Sequence, residues 1–282
     1  MSENVNETNC NHKCDGCNVD NCSSRQNPQS FRIDPNPRSS IKKIIGVVSG
    51  KGGVGKSFVT SMLAAEMARR GHRSAVLDGD ITGPSQAKAF GVTEKAMSDG
   101  ELILPFVTKN GIQVISTNML LDTDDQPVIW RGPMVANILK QFYQEVLWED
   151  VDYMFVDMPP GTSDVPLTLF QSIPLDGIVV VTSPQDLVSM VVEKAINMAE
   201  MMNIKVLGLI ENMSYVKCPN CDEKIYVFGE SHISEVSEKY GFPVLAVMPI
   251  DPRIAANSDA GTIEDLELDE LKPAADFIEN IQ

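Results

Sequence analysis

Residues 44–60 read Ile44-Ile45-Gly46-Val47-Val48-Ser49-Gly50-Lys51-Gly52-Gly53-Val54-Gly55-Lys56-Ser57-Phe58-Val59-Thr60, and this stretch decides the fold. Ile44, Ile45, Val47 and Val48 form a short apolar run of the kind that makes a strand covered on both faces. The run breaks into Gly50 to Ser57, which satisfies the phosphate-loop pattern G-x4-G-K-[ST]. The glycines at 50, 52, 53 and 55 let the backbone, Val54 included, approach phosphates and turn its N–H groups toward them. Lys56 is placed to reach the β- and γ-phosphates, and Ser57 to hold Mg2+. Apolar residues at 59, 62, 63 and 67 predict a helix over 58–70 with its positive end at the anion. A glycine-rich turn without a ligand is the alternative. Strand, loop and helix nevertheless arrive in the order that a nucleoside triphosphate site requires.

Working outward, the chain has 282 residues, 43% of them hydrophobic, enough for one large or two small domains with a sizeable core. Acidic residues outnumber basic ones 39 to 23, a formal charge of −16. That balance disfavours nucleic acid and anionic membrane as partners, since both demand clustered Lys and Arg. No apolar stretch approaches the length needed to span a bilayer. The N-terminal residues lack the basic and apolar regions of a signal peptide and the Arg-rich character of a transit peptide. A cytoplasmic protein is expected, its six cysteines reduced and suited to metal binding.

Four of those cysteines, Cys10, Cys14, Cys17 and Cys22, fall within a polar tail that has almost no apolar residues to build a core. Four thiolates this close fit a tetrahedral Zn2+ or an iron–sulfur cluster, and spacing alone does not choose between them. Among the histidines only His12 is near enough to compete as a ligand; His72 and His232 read as ordinary residues. Pro28, Pro35 and Pro37 mark 27–40 as a linker. The expected organisation is a flexible cysteine-bearing segment, 1–40, and a nucleotide-binding domain, 41–282.

Beyond the first strand and helix, Ser74 to Leu77 predicts a second strand running into Asp78-Gly79-Asp80-Ile81-Thr82-Gly83-Pro84-Ser85. Carboxylates at the carboxyl end of a parallel strand sit on the ligand edge, which makes Asp80 the candidate to orient the attacking water and Asp78 its support. Capping the turn is the alternative for both. A third strand is expected at 112–116, a helix over 134–147 after Trp130-Arg131-Gly132-Pro133, and a strand ending in Asp157 in the Walker-B manner, with Asp157 on Mg2+ through water. Met158 to Asp164 reads as a switch loop in which Gly161 brings its N–H to the γ-phosphate. Strands at 178–182 and 206–210 flank a helix over 187–202, whose methionines 190, 198, 201 and 202 serve a core or a soft docking surface. Asn212 offers an amide to a purine edge, and Pro249 closes the last strand beside the base. The acidic 264–270 stretch is expected in a C-terminal helix. Alternating strands and helices predict an α/β fold, a doubly wound and mostly parallel sheet flanked by helices.

Lys51, directly after the first glycine, sharpens the reading. GKGGVGKS resembles the deviant phosphate loop of the MinD/ParA/nitrogenase-iron-protein ATPases, which implies that Lys51 reaches the nucleotide of a second subunit in a homodimer. Cys218 and Cys221 form one C-x-x-C, two ligands where a metal takes four, so either a redox dithiol or a centre shared across a dimer axis is open. Together GKGGVGKS, DGDITGPS, DMPPGTSD and ENMSYVKCPNC resemble, in order and spacing over about residues 40–275, the Mrp/ApbC family of iron–sulfur cluster carriers. The resemblance implies an ATPase, slow without a partner, that binds ATP and Mg2+. It also implies a [4Fe-4S] cluster bridged between subunits by Cys218 and Cys221 and passed to apo-proteins. It assigns Lys51, Lys56, Ser57, Asp80, Asp157 and Asn212 to the ATPase site, and likens the tail cysteines to a subgroup with a further N-terminal cluster. Ser163 stands where the family pattern has glycine. The rival reading is a zinc-bridged dimeric targeting or positioning ATPase of the MinD/ParA class.

Overall fold

The structure is a computed structural model that describes residues 32–81, 83–120, 132–161, 164–184 and 188–281. Cys10, Cys14, Cys17, Cys22, Thr82, Arg131 and Ser163 lie outside the described residues. In chain order the elements are β1 (Ile41–Ser49), α1 (Lys56–Arg69), β2 (Ser74–Asp78), α2 (Gln86–Ala89) and the short strands β3 (Met97–Ser98), β4 (Ile103–Leu104) and β5 (Phe106–Val107). They continue with β6 (Gln113–Ile115), α3 (Gly132–Glu145), β7 (Val151–Asp157), α4 (Asp164–Ser172), β8 (Gly177–Thr182), α5 (Val188–Met201) and β9 (Val206–Lys217). Last come β10 (Lys224–Ile225), α6 (Ile233–Tyr240), β11 (Val244–Pro249), α7 (Pro252–Ala260) and α8 (Lys272–Glu279).

The main sheet runs β10-β9-β8-β1-β7-β2-β6-β5, with β11 also on β9. Pairing from β6 through β11 is parallel, and the edge strands β5 and β10 are antiparallel. This is the doubly wound, mostly parallel sheet that the alternating pattern predicts. β1 lies centrally between β7 and β8, so β7 separates it from β2, the next strand in sequence. Successive side chains of β1 serve opposite faces. Ile44 and Val48 pack with Leu139, Phe142, Trp148 and Ile196 on one side. Ile45 and Val47 pack with Val59, Met62, Leu63 and Ile278 on the other.

Helix α1 departs from the one-faced helix that positions 59, 62, 63 and 67 suggest. Thr60, Ser61, Ala64, Ala65 and Glu66 are buried too, because α8 and the 3-10 turn at Ile263–Asp265 also pack on the helix, while Thr60 and Ser61 meet Asp157 and Gln86; a second 3-10 turn follows at Asp269–Leu271. Its buried polar groups are paired. Thr60 Oγ1 donates to Lys56 O (3.0 Å), Ser61 Oγ to Gln86 Oε1 (2.6 Å), and Glu66 accepts from Arg69 and Arg70. The expected helix over 264–270 is a correction: those residues make the two 3-10 turns, and the helix begins at Lys272. Leu266, Leu268 and Leu271 all enter the core beside α1, a spacing that a regular helix does not present on one face.

From Ile33 the chain belongs to one compact unit. Residues 33–40, read from their prolines as part of a linker, are laid on this body. Ile33 N–H donates to Ser172 O (2.9 Å), Asn36 Nδ2 to Val146 O (2.8 Å) and Ser40 N–H to Trp148 O (2.9 Å). Among the described residues no helix is long and apolar enough to cross a membrane.

Candidate functional site

β1 ends at Ser49, and the loop from Gly50 carries the chain into α1. Gly55 is the N-cap of that helix, which no side chain caps, so its first-turn N–H groups face the loop's concavity as an anion site requires. Gly55 has φ +82°, and a Cβ there would lie 2.1 Å from Asn212 Nδ2. Both backbone conformation and space therefore demand glycine. Asn212, at the far end of the loop, donates from Nδ2 to Val54 O (3.0 Å), while its Oδ1 is buried without a partner. Such an acceptor fits a ligand that brings an amino group, as a purine does. Pro249 ends β11 opposite Tyr215 of β9, three residues past Asn212.

Behind the loop lies a buried polar knot. Lys56 is 5% exposed and Asp157 fully buried, and the ammonium donates to Asp157 Oδ1. Thr60 Oγ1 donates to the same oxygen (3.3 Å), and Gln86 Nε2 to Asp157 Oδ2 (2.9 Å). Gln86 Nε2 also reaches Ser57 O (2.9 Å). Gln86 thus ties the Walker-B strand to the first turn of α1. Sequence reasoning passed over it; its one signal was its place directly after DGDITGPS.

Asp78 stands beside Asp157, the two being partners in the parallel register of β2 and β7. Burial first, then the charge on Asp157, pushes the Asp78 carboxyl up to about 7, against the opposing pull of the Ser116 hydroxyl. Asp78 accepts from Ser116 Oγ (2.9 Å), Gln86 N (3.2 Å) and Asp80 N (3.2 Å), so it shapes the turn that follows it. Gly79 donates its N–H to Asp157 O (2.8 Å), and a Cβ there would come within 2.6 Å of that oxygen. Asp80 is half-buried at the end of this turn, on the same edge of the sheet.

Lys51 is half-buried, and its carbonyl accepts from Ser49 Oγ (2.9 Å). Gly161, the residue expected at the γ-phosphate, donates its N–H to Ser49 O (2.9 Å), which ties the loop after β7 to the end of β1.

The C-x-x-C sits elsewhere on the same strand. β9 continues past the expected 206–210 to Lys217 and pairs antiparallel with β10, so Cys218 and Cys221 occupy the hairpin between them. Cys218 N–H donates to Glu223 O (2.9 Å), and Asp222 N–H returns to Cys218 O (3.0 Å). The Asn220 N–H, followed by the Cys221 thiol and N–H, holds the Cys218 thiol below its ordinary range. Cys221 is exposed, as is the whole of 221–230. Among the described residues no three His, Cys, Asp or Glu side chains gather to hold a metal ion. The hairpin thus carries two thiols, Cys218 half-buried and Cys221 exposed.

Comparison with known proteins agrees with this geometry. A model of the ParA class described as "NUBPL iron-transfer P-loop NTPase" matches residues 40–282. An "Iron-sulfur cluster carrier protein" of Clostridium perfringens is 46% identical over 234 residues, 80% of this chain and 82% of that one. One from Methanocaldococcus jannaschii is 41% identical over 257 residues, 89% of each chain. Among solved structures, the nucleotide-binding protein of Archaeoglobus fulgidus in complex with ADP aligns with TM-score 0.74 and 39% identity, covering 86% of this chain and 93% of that one. The cell division ATPase MinD of Pyrococcus furiosus, at TM-score 0.59 and 21% identity over 85% of this chain and 99% of that one, shares the fold. With its phosphate loop, Walker-B aspartate and parallel sheet in place, the chain belongs to the iron-transfer P-loop NTPase family.

Proposed function

We propose that this protein is an ATP-dependent carrier that assembles a [4Fe-4S] cluster between two copies of itself and passes it to apo-proteins. The observation that carries the reading is the course of β9. One strand places Asn212 on the phosphate loop and, just past its end, the hairpin carries a pair of thiols, enough for half a coordination shell. The relatives named iron–sulfur cluster carriers support it.

Ser57 and Asp157 would hold Mg2+, which would supply charge neutralisation at the β- and γ-phosphates. Lys56, now on Asp157, exchanges that carboxylate for the phosphates when nucleotide enters. Asn212 Oδ1 takes the purine amino group, and Pro249 flanks the base. Asp80 orients the water that attacks the γ-phosphorus as its bond to the β-phosphate oxygen breaks, leaving ADP and inorganic phosphate. Lys51 of the facing copy meets the charge that builds on the transferring group. Hydrolysis is slow until a recipient engages, as suits a switch. Zn2+ at the cysteines is the competing occupant. Cys10, Cys14, Cys17 and Cys22 are proposed to hold a second cluster.

Anaerobic reconstitution tests this. Iron and acid-labile sulfide are expected to bind to the full chain and to move to an apo-acceptor, with Cys218→Ala losing the shared cluster while keeping Mg-ATP affinity. A colourless protein that takes zinc and leaves iron and sulfide behind would overturn the reading.

A further inference from the structure

Between the phosphate loop and the cysteines, β9 is not regular. Along β11, Val247 and Pro249 are two residues apart, but their partners on β9, Glu211 and Tyr215, are four apart. Asn212, Met213 and Ser214 therefore bulge from the ladder, the device by which strands re-aim side chains beside active sites. Met213 sits at φ +59°, a left-handed conformation that a residue with a Cβ keeps only where its surroundings impose it. Its Cε would lie 3.8 Å from a Cβ at Gly55, so the bulge touches the phosphate loop through Met213 as well as through Asn212.

The surroundings that impose the bulge centre on Glu211. Its carboxylate is fully buried and accepts from Ser214 Oγ (2.6 Å) across the bulge and from Ser231 Oγ (2.7 Å). Ser231 Oγ in turn accepts from Ile233 N (3.2 Å) at the start of α6. Ser214 lies four residues before Cys218, and Ser231 ten after Cys221. One carboxylate thus closes the neck of the excursion that bears both thiols. A buried carboxylate whose hydroxyl partners come from opposite ends of that excursion fixes its root, because leaving either lone pair unmatched away from water is costly.

We propose that Glu211 is a positioning residue, and that the bulge it clamps is the joint through which nucleotide at the phosphate loop governs the reactivity of Cys218 and Cys221. The proposal rests on the reading of the phosphate loop and the C-x-x-C as one working unit, and it adds the element that joins them. A shift of the loop around bound nucleotide displaces Asn212 and Met213. With Glu211 holding both ends of the neck, that displacement reaches the hairpin instead of dissipating in a loose strand.

The test needs no iron or sulfide, which separates its failure from failure of the carrier reading. The metal-free full-length protein is alkylated with iodoacetamide, and the rates at Cys218 and Cys221 are followed by peptide mass spectrometry with and without Mg-ADP or a non-hydrolysable Mg-ATP analogue. Nucleotide is expected to change the wild-type rate by about fivefold or more, the span of ordinary coupling between sites. Glu211→Gln and the milder Ser231→Ala, at the half-buried end of the clamp, are expected to abolish that change while nucleotide affinity stays within about threefold of wild type. Wild-type rates indifferent to nucleotide, or variants that keep the full nucleotide effect, would overturn the proposal. Nucleotide-dependent rates in a protein that refuses a cluster would leave the joint standing and remove the carrier reading.

Discussion

At Gly55 two demands meet in one residue, and their sum is measurable. Alanine there meets a left-handed backbone worth about 1–2 kcal/mol and the side chain of Asn212 at 2.1 Å. Gly55→Ala is expected to push Asn212 off Val54 O and weaken Mg-ADP binding about tenfold or more, with a lower melting temperature. Calorimetric titration and a thermal melt check both. Asp78 makes a second prediction, through pH. Its carboxyl titrates at about 7 in the fold against 3.8 ordinarily, so between those values the native state holds the extra proton. Stability contributed by this group is present at low pH and lost as pH rises through about 7. Asp78→Asn removes that slope: its urea-unfolding free energy should gain on wild type from pH 5 to about pH 7 and level off above it, and a constant difference from pH 5 upward would refute the cause given. At this scale the sequence singled out Lys56, Asp157 and Asn212 because each sits at a fixed place in a motif or strand end. Gln86 and Glu211 stayed hidden, because a buried side chain that ties separate segments together leaves no local pattern.

Elements were legible where periodicity was long. The strands around β1, β2, β7, β8 and β11 lie within a few residues of their expected bounds because each is an apolar run closed by a turn. The two-residue strands β3, β4 and β5 were not legible, since their pairing depends on partners and not on local preference. The methionines of α5 divide: Met198 is buried in the core, while Met201 is 79% exposed. The docking of α8 on α1 was equally invisible, and it turns on Arg70. That guanidinium donates to Glu66 (3.0 Å), Asp276 (2.7 Å) and Glu279 (2.7 Å), while His72 Nε2 lies 2.7 Å from the other oxygen of Glu279. Removing it leaves the buried Glu66 with Arg69 alone and frees the C-terminal helix from its anchor. Arg70→Ala is expected to cost about 2 kcal/mol by urea unfolding, more than an isolated surface ion pair contributes, and a loss below about 0.5 kcal/mol would show the network to be dispensable.

For the whole molecule, the fold was readable from one loop and its flanking alternation, and the family comparison agrees with it. Assembly was not readable from composition, since an acidic chain of this size could act alone. The proposed assembly rests on two local features, a second lysine in the phosphate loop and the pair of thiols in the β9–β10 hairpin. In the proposed reading, each completes its site only with a second copy. The most direct measurement is native mass spectrometry of protein in which Cys10, Cys14, Cys17 and Cys22 are replaced by serine, reconstituted anaerobically with iron and sulfide in the presence of a non-hydrolysable Mg-ATP analogue. A species of two chains carrying one [4Fe-4S] cluster is expected, absent from the same protein with Cys218→Ala. A cluster held by a single chain, or a two-chain species that retains its cluster without Cys218, would contradict it.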